Sequence, residues 1–296
     1  MELDHLEAFV AIVRRGGVTR AASALHLSQP AISRRLHLLE HELGAPLFER
    51  IGRTFVLTEA GRTFLPHAQT VLAAMRDAMD AVGALSDPTR GTVTLALVGT
   101  LASSHLTPRL QRFRRTHPRI DLRLRTALSA EVSELVRSGD ASLGLRYRAD
   151  RASDLISRQV FEERMLVVCS PELRLARGTS VSVKALANQR WIAFPPRPGR
   201  APEPYASTLE QRLLASGLDG AEIVPIDSLS AQKRLVEAGF GLALMPESSV
   251  VEELRAKTLR VLRVPSMQAS VPVVLVQRRH AYASAATKAL AALLCA

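Results

Sequence analysis

Near the N-terminus, apolar residues fall three or four apart in three successive groups, the spacing of one face of a helix. Leu3, Leu6, Phe9, Val10 and Val13 predict a first amphipathic helix that ends at Gly16-Gly17. Ala21, Ala22 and Leu25 predict a short second helix capped by Thr19, with alanines small enough for another helix to cross closely. Ile32, Leu36, Leu39 and Leu43 line one face of a third helix, between Ser28 and Gly44. Ser28 is an N-cap type. Pro30 is tolerated in a first turn whose N–H groups lack intrahelical partners, and Gly44 stops the helix. His26-Leu27 is a tight turn between the last two helices, so the three predict a helix-turn-helix. The period then changes. Phe55 and Leu57 alternate with Thr54, Val56 and Thr58, and Ile51-Gly52-Arg53 reads as a turn, which predicts a small hairpin, or wing, beside the third helix.

From Thr58 to Leu85 the helical period returns. Phe64, Ala68, Val71, Met75, Ala78, Val82 and Leu85 form a heptad seam, which suits pairing with a second helix or burial in the chain's own core. Pro66 predicts a bend, and Ser86-Asp87-Pro88 predicts the end of this linker. Beyond Thr92 strands alternate with helices. Val93–Val98, Ile120–Leu124, Ser142–Leu145, Met165–Val168, Trp191–Phe194, Glu222–Ile226, Leu242–Leu244 and Val271–Val276 read as strands. Helical patterns intervene, for example at Tyr205–Ser216, Ser230–Ala238 and Ala283–Leu294. The fold class is therefore α/β with an all-α N-terminal part.

Charge alters the picture more than composition does. The 296 residues carry a net +11, nearly all of the cations being arginine, and such a chain is drawn to polyanions, DNA among them. Yet residues 1–60 hold seven Arg and seven acidic residues, so DNA binding there depends on placement and not on bulk charge. The excess is concentrated in Arg109 to Arg125, with seven Arg and one Asp. Cys169 and Cys295 provide neither a disulfide framework nor a metal set. The start is acidic and amphipathic, unlike a signal peptide, and no apolar run approaches the ~20 residues that span a bilayer. A cytoplasmic location without membrane association is expected.

The third helix carries the first candidate chemistry. Ser33, Arg34, His37 and His41 lie opposite its leucine keel, with Gln29 and Pro30 at its N-terminal flank. Gln can pair bidentately with adenine and Arg with guanine in a major groove. By itself the pattern also fits an ordinary amphipathic surface helix. Arg50 and Arg53 sit on the hairpin, where an Arg at the tip can enter a minor groove or remain a solvated loop charge. His37-Leu38-Leu39-Glu40-His41 has the H-x-x-E-H spacing of a zinc enzyme, with Glu40 as base. That reading conflicts with the helix's core positions and has no third ligand nearby. No Walker loop, G-x-G-x-x-G or G-x-S-x-G occurs, so no enzyme activity and no cofactor is expected.

The run AASALHLSQPAISRRLHLLEHELGAPLFERIGRTFVLTEAG resembles the N-terminal signature of the LysR-type transcriptional regulators, over about 60 residues without a gap. The resemblance implies a winged helix-turn-helix over 1–58 and a linker helix for dimerisation over 59–88. It further implies an effector region of two α/β subdomains resembling a periplasmic binding protein, at 89–161 with 265–296, and at 162–264. It also implies that Gln29, Ser33, Arg34 and Arg53 meet double-stranded DNA. A small-molecule effector and a homodimer or homotetramer are expected on the same ground, with RNA polymerase a further candidate partner. An effector-independent DNA-binding protein is the alternative.

In open α/β sheets, ligands settle beyond the carboxyl ends of strands, near helix N-termini. The residues in such places are Thr100, Ser103 and Ser104 after the first strand, Thr126 after the next, Arg146, and Ser228. Thr100 and Ser103 carry over best from the family's use of that loop. Each hydroxyl could also be a plain helix cap, and Arg146 a plain exposed Arg. The segment PPRPGRAPEP, with Arg197 and Arg200, could be a specificity loop or a connector. Hydroxyls, free N–H groups and an arginine together suit an anionic effector.

Overall fold

The structure, a computed structural model, describes residues 1–51, 54–87, 89–102, 106–173, 181–195 and 204–296. For Thr54, Ala84, Ser86, Tyr205 and Ala206 it describes the backbone alone.

Three helices open the chain: α1 (Leu3–Arg15), α2 (Val18–Leu25) and α3 (Gln29–Leu43). Ser28 caps α3, its Oγ accepting from Ala31 N at 3.3 Å, and Gly44 ends it in the left-handed region. Ile32, Leu36 and Leu39 are buried against Phe9 and Ile12 in one core, as the keel predicts. Two expectations fail here. Leu43 is 38% exposed, because the helix has already turned past the core at its last residue. Thr19 lies inside α2, whose N-cap is Gly17. β1 (Phe48–Ile51) and β2 (Thr54–Leu57) form the antiparallel hairpin. Phe48 stacks on Phe55 and meets Phe9 edge-on, which fixes the hairpin to the helices.

α4 (Glu59–Ser86) is a continuous 28-residue helix, about 42 Å long. Thr58 caps it, accepting from Gly61 N. It runs unbroken through Pro66. Its heptad seam divides into two parts. Phe64 and Ala68 pack into the N-terminal core, whereas Val71, Met75, Val82 and Leu85 are 43 to 85% exposed and Ala78 is exposed with them. The flank of α4 bearing Ala73, Arg76 and Asp77 docks on the following region. Gly139 (φ +72°) comes so close that an added Cβ would lie 2.9 Å from Ala73 Cβ. Asp140 pairs with Arg76 and also with Arg14 of α1, and Asp77 pairs with Arg278 at 2.7 Å.

The rest is α/β. In chain order come β3 (Gly91–Val98), α5 (Leu106–Thr116), β4 (Ile120–Ala127), α6 (Ser129–Arg137), β5 (Leu143–Tyr147) and β6 (Leu155–Cys169). Then follow β7 (Trp191–Ala193), α7 (Pro204–Ala215), β8 (Ile223–Pro225), α8 (Leu229–Glu237), β9 (Ala243–Pro246), α9 (Val251–Ala256), β10 (Arg260–Leu262), β11 (Ala269–Arg278) and α10 (Ala285–Cys295). Strands pair in the order β10-β6-β11-β5-β3-β4, with β9 also on β6, while β7 and β8 pair separately. β3, β4 and β5 are mutually parallel and are covered by α5, α6 and α10. The second subdomain gathers β7 to β10 and α7 to α9 around the far half of β6. β6 is the main surprise. Only its Met165–Val168 half carries a strand pattern in the sequence. Its first half is polar, and it is a strand because β11 pairs with it from Leu155↔Arg278 to Met165↔Ala269.

α6 crosses β5 at Gly144, where an added Cβ would stand 2.6 Å from both Val132 Cγ1 and Val276 Cγ2. All three sites are closely packed, and overpacking of this kind costs about 1–3 kcal/mol. Gly144→Ala is expected to lower the unfolding free energy of the α/β region by that amount, read from urea melts followed by circular dichroism.

Candidate DNA-reading and effector-binding surfaces

Because Ile32, Leu36 and Leu39 occupy the buried side of α3, the opposite side is left to solvent. Gln29, Pro30, Ser33, Arg34 and His37 are all exposed there, and Arg50 is exposed on β1. Arg53 lies outside the described residues. Arg35, one residue beyond Arg34, turns back to Asp4 of α1 at 2.5 Å and braces the helix. Arg34 and Arg50 have no hydrogen-bond or ion-pair partner among the described residues, so their guanidiniums are available to a ligand. Gln29 Oε1 stands 3.5 Å from Thr19 Oγ1.

Glu40 has a different task from the one the H-x-x-E-H string suggests. Its Oε1 accepts from Leu47 N at 2.7 Å and Phe48 N at 3.4 Å, so the carboxylate ties α3 to the start of the hairpin. A carboxylate satisfied by two backbone N–H groups is a structural brace and not a base. Among the described residues no cluster of three His, Cys, Asp or Glu side chains could hold a metal ion.

The second surface lies where β3 and β5 end and face the second subdomain. Thr100 sits in the single turn Gly99–Leu101 that follows β3, nearly buried, with Oγ1 2.9 Å from the hydroxyl of the fully buried Tyr147. That turn packs against the Glu247–Ser249 turn of the second subdomain. Glu163 of β6 anchors the latter turn, accepting from Ser248 N at 3.1 Å and Ser248 Oγ at 2.8 Å. Phe194, Leu209, Met245, Pro246 and Gln232 line a small apolar recess nearby.

Arg146 does not face this cleft. Strand alternation places it with Gly144, on the side of β5 that α6 covers. Its Nη1 donates to Ser133 Oγ at 2.5 Å and to Asp150 Oδ2 at 2.6 Å. Burial pushes the Asp150 carboxyl up, but hydrogen bonds from Ser133 and Ala152 N–H, with the Arg146 charge, outweigh it and hold the group below the usual carboxylate range. Arg146 is thus committed to an internal ion pair. Arg148, which the sequence reading passed over, reaches the other subdomain. It adopts φ +57° just past β5, its N–H donates to Pro272 O at 2.7 Å, and its Nη2 lies 3.4 Å from Thr208 Oγ1 of α7. It has no carboxylate partner among the described residues. The small Gly144 was the available signal, since it marks the face of β5 on which a helix packs.

The other expected effector residues scatter. Thr126 is exposed at the end of the edge strand β4 and opens on a groove of about 690 Å³ along α5, with Leu97, Leu106, Leu110 and Leu124. Ser228 caps α8, accepting from Ala231 N, and is exposed. Ser103, Ser104, Arg197 and Arg200 lie outside the described residues. Among the described residues no helix is long and apolar enough to cross a membrane.

Comparison with known proteins agrees with this division of labour. Residues 3–62 match the bacterial regulatory helix-turn-helix protein, lysR family, and residues 86–296 match the LysR substrate binding domain. The transcriptional dual regulator GltC of Bacillus subtilis is 31% identical over 292 residues, 96% of this chain and 94% of its own length. Full-length OxyR from Pseudomonas aeruginosa shares the fold with a TM-score of 0.73 at 19% identity, covering 99% of this chain and 94% of that one. CbnR, solved in complex with its target DNA, shares it with a TM-score of 0.63 at 24% identity and 99% coverage of both chains. With a helix-turn-helix match at its N-terminus and a two-subdomain α/β region behind a long linker, the chain belongs to the LysR family of DNA-binding transcriptional regulators.

Proposed function

We propose that this protein is a cytoplasmic, non-enzymatic regulator, a homodimer or a pair of dimers, whose hold on operator DNA shifts when a small anionic metabolite occupies the cleft between its α/β subdomains. The observation that carries the DNA reading is the exposed edge of α3, where Arg34 is unpartnered while Arg35, Glu40 and the leucine keel hold the helix still. Gln29, Ser33 and Arg34 read bases, with Pro30, His37, Arg50 and Arg53 alongside. RNA polymerase is a candidate partner at the promoter. The division at 59–88, 89–161 with 265–296, and 162–264 follows the same reading. Arg34→Ala is expected to cost about 1–3 kcal/mol of operator affinity and to relax preference at one base position, measured by gel shift on duplexes selected from a random library. Unchanged affinity and selectivity would refute base reading by Arg34.

The exposed apolar row Val71, Met75, Val82 and Leu85 on α4 is the proposed dimer seam. Paired there, two linkers would hold the reading helices about one DNA turn, roughly 34 Å, apart. The double variant Val71→Asp, Met75→Asp is expected to be monomeric or aggregated by light scattering; a fully dimeric double variant contradicts the seam.

For the effector, Thr100 and Arg148 are the proposed holders, with Tyr147 positioning the Thr100 hydroxyl from within the core, and Ser103, Ser104, Thr126, Arg200 and Ser228 are secondary. Thr100 offers a hydroxyl in a dry setting, and Arg148 offers a charge that already bridges toward α7. A ligand carboxylate held by Arg148 would favour the closed arrangement of the two subdomains, a population shift passed to the linker. Charged hydrogen bonds contribute roughly 1.5–3 kcal/mol. Arg148→Ala is therefore expected to weaken binding of an organic anion found by calorimetric screening at least tenfold. Effector-free DNA binding should stay as in wild type. Equal affinity in the variant would remove Arg148 from the site.

A further inference from the structure

More than half of the net charge of this chain sits away from the helix that reads DNA. Residues 1–60 are neutral by count, while Arg109 to Arg125 carry seven of the arginines and one aspartate. The structure separates six of those seven by task, the seventh, Arg125, being exposed on β4. Arg109 donates to Leu294 O, Arg119 reaches Asp87 at 3.4 Å, and Arg123 pairs with Asp121 at 2.7 Å. Arg112, Arg114 and Arg115, in the last turns of α5, are exposed and have no side-chain partner among the described residues. Arg114 and Arg115 rim a surface hollow of about 520 Å³ with Gln111, His117 and Pro118. The helix dipole favours cations in a last turn. Arg112 and Arg115, three residues apart on the helix, repel one another, and no carboxylate among the described residues pairs with them or with Arg114.

Their position supplies the second argument. β3, β4 and β5 are parallel, and β3 and β4 begin side by side at Gly91 and Ile120. α5 runs back along the sheet, so its last turn stands at the amino ends of these strands. That end of the sheet meets the linker. Arg119 reaches Asp87 at the end of α4, and the turn before β5 binds α4 through Gly139 and Asp140, with Asp140 also holding Arg14 of the reading module. The cleft at Thr100 and Arg148 lies at the opposite ends of the strands. The arginine ridge thus lies on the linker side of the sheet and away from the effector cleft, beside the end of α4 that is farther from the reading helix, so only DNA extending past the reading-helix footprint can reach it.

We infer that Arg112, Arg114 and Arg115 form a second, sequence-independent DNA contact that grips the phosphate backbone flanking the operator. The inference rests on the DNA-binding reading above and adds to it a surface of the effector region. A neutral reading module gains little from counterion release beyond its own few arginines. A basic ridge on the linker side would supply the missing electrostatic attraction and hold the flanks against the protein.

The test uses the full chain and an operator core selected from a random duplex library. That core is prepared trimmed to the reading-helix footprint, and again with arms about three helical turns (~30 base pairs) long. For wild type, the slope of log affinity against log salt is expected to be steeper on the long duplex. The triple variant Arg112→Ala, Arg114→Ala, Arg115→Ala should lose that excess, by about 0.9 for each phosphate contact removed, and bind the trimmed duplex as wild type does. The triple lysine variant should keep the excess, because a phosphate accepts either cation. Equal wild-type slopes on the two duplexes would overturn the inference. So would a triple alanine variant with a changed oligomeric state in light scattering, which would make the ridge a protein–protein face. A lysine variant that behaves like alanine points to the same face. Should the triple alanine variant fail on the trimmed duplex, single Arg114→Ala and Arg115→Ala variants decide, each expected to reduce the long-duplex slope by about 0.9. Failure to select any operator core would count against base reading by α3 and is a separate result.

Discussion

The pairing of β6 with β11 is the constraint on which the effector region depends. The two strands run antiparallel over the whole length of β11, with a bulge between Val273 and Val274. β11 also pairs with β5 of the first subdomain, and the far half of β6 carries β9 and β10 of the second. One ribbon therefore belongs to both subdomains. A bulge in such a ribbon bends it and increases its twist, so the subdomains face one another across a cleft without separating. Thr100, Tyr147 and Arg148 owe their position opposite α7 and the Glu247–Ser249 turn to that crossing.

The linker helix is joined to this region by shape and by charge together. Ala73 and Gly139 approach so closely that neither position has room for a larger side chain, and Gly139 adopts a left-handed conformation that favours glycine. Around that contact, Asp140 is shared by Arg14 and Arg76, Ser138 O also accepts from Arg76, and Asp77 holds Arg278. A single exposed ion pair stabilises by at most about 1 kcal/mol. Here several charged groups surround one tight packing contact and join α1, α4 and the turn before β5. The segment from Asp140 through β5 to Arg148 is short and lies largely within a sheet, so one strand joins the α1–α4 contact to the cleft end.

The N-terminal module fixes its backbone with polar residues used internally. Arg35 is spent on Asp4, and Glu40 on the N–H groups of Leu47 and Phe48. These internal uses of polar residues leave Arg34 and Arg50 free and orient them. The same economy explains the zinc-like string: its glutamate is there to attach the hairpin, and its histidines are exposed on successive turns of the reading helix.

The sequence by itself determined most of the N-terminal module, the Thr19 cap and the burial of Leu43 excepted, because the local signals for its third helix agreed. The Ser28 cap, Pro30 in the first turn, the spacing of Ile32, Leu36 and Leu39, and the Gly44 stop all describe one helix, and a local helix needs little else. Alternation of strands and helices likewise established α/β. The tertiary structure decided what depends on distant partners. The polar half of β6 became a strand through pairing with β11, more than a hundred residues later in the chain. The heptad seam divided where the N-terminal core ends, burying Ala68 and leaving Val71 to Leu85 open. Strand alternation gave Arg146 as the candidate and left Arg148 unnamed; the packing of α6 over Gly144 turned Arg146 inward to Asp150, and Arg148, one residue past the strand, reaches Thr208 of the other subdomain. Periodicity states which residues share a face, but which face another element covers is set by contacts far away in the chain.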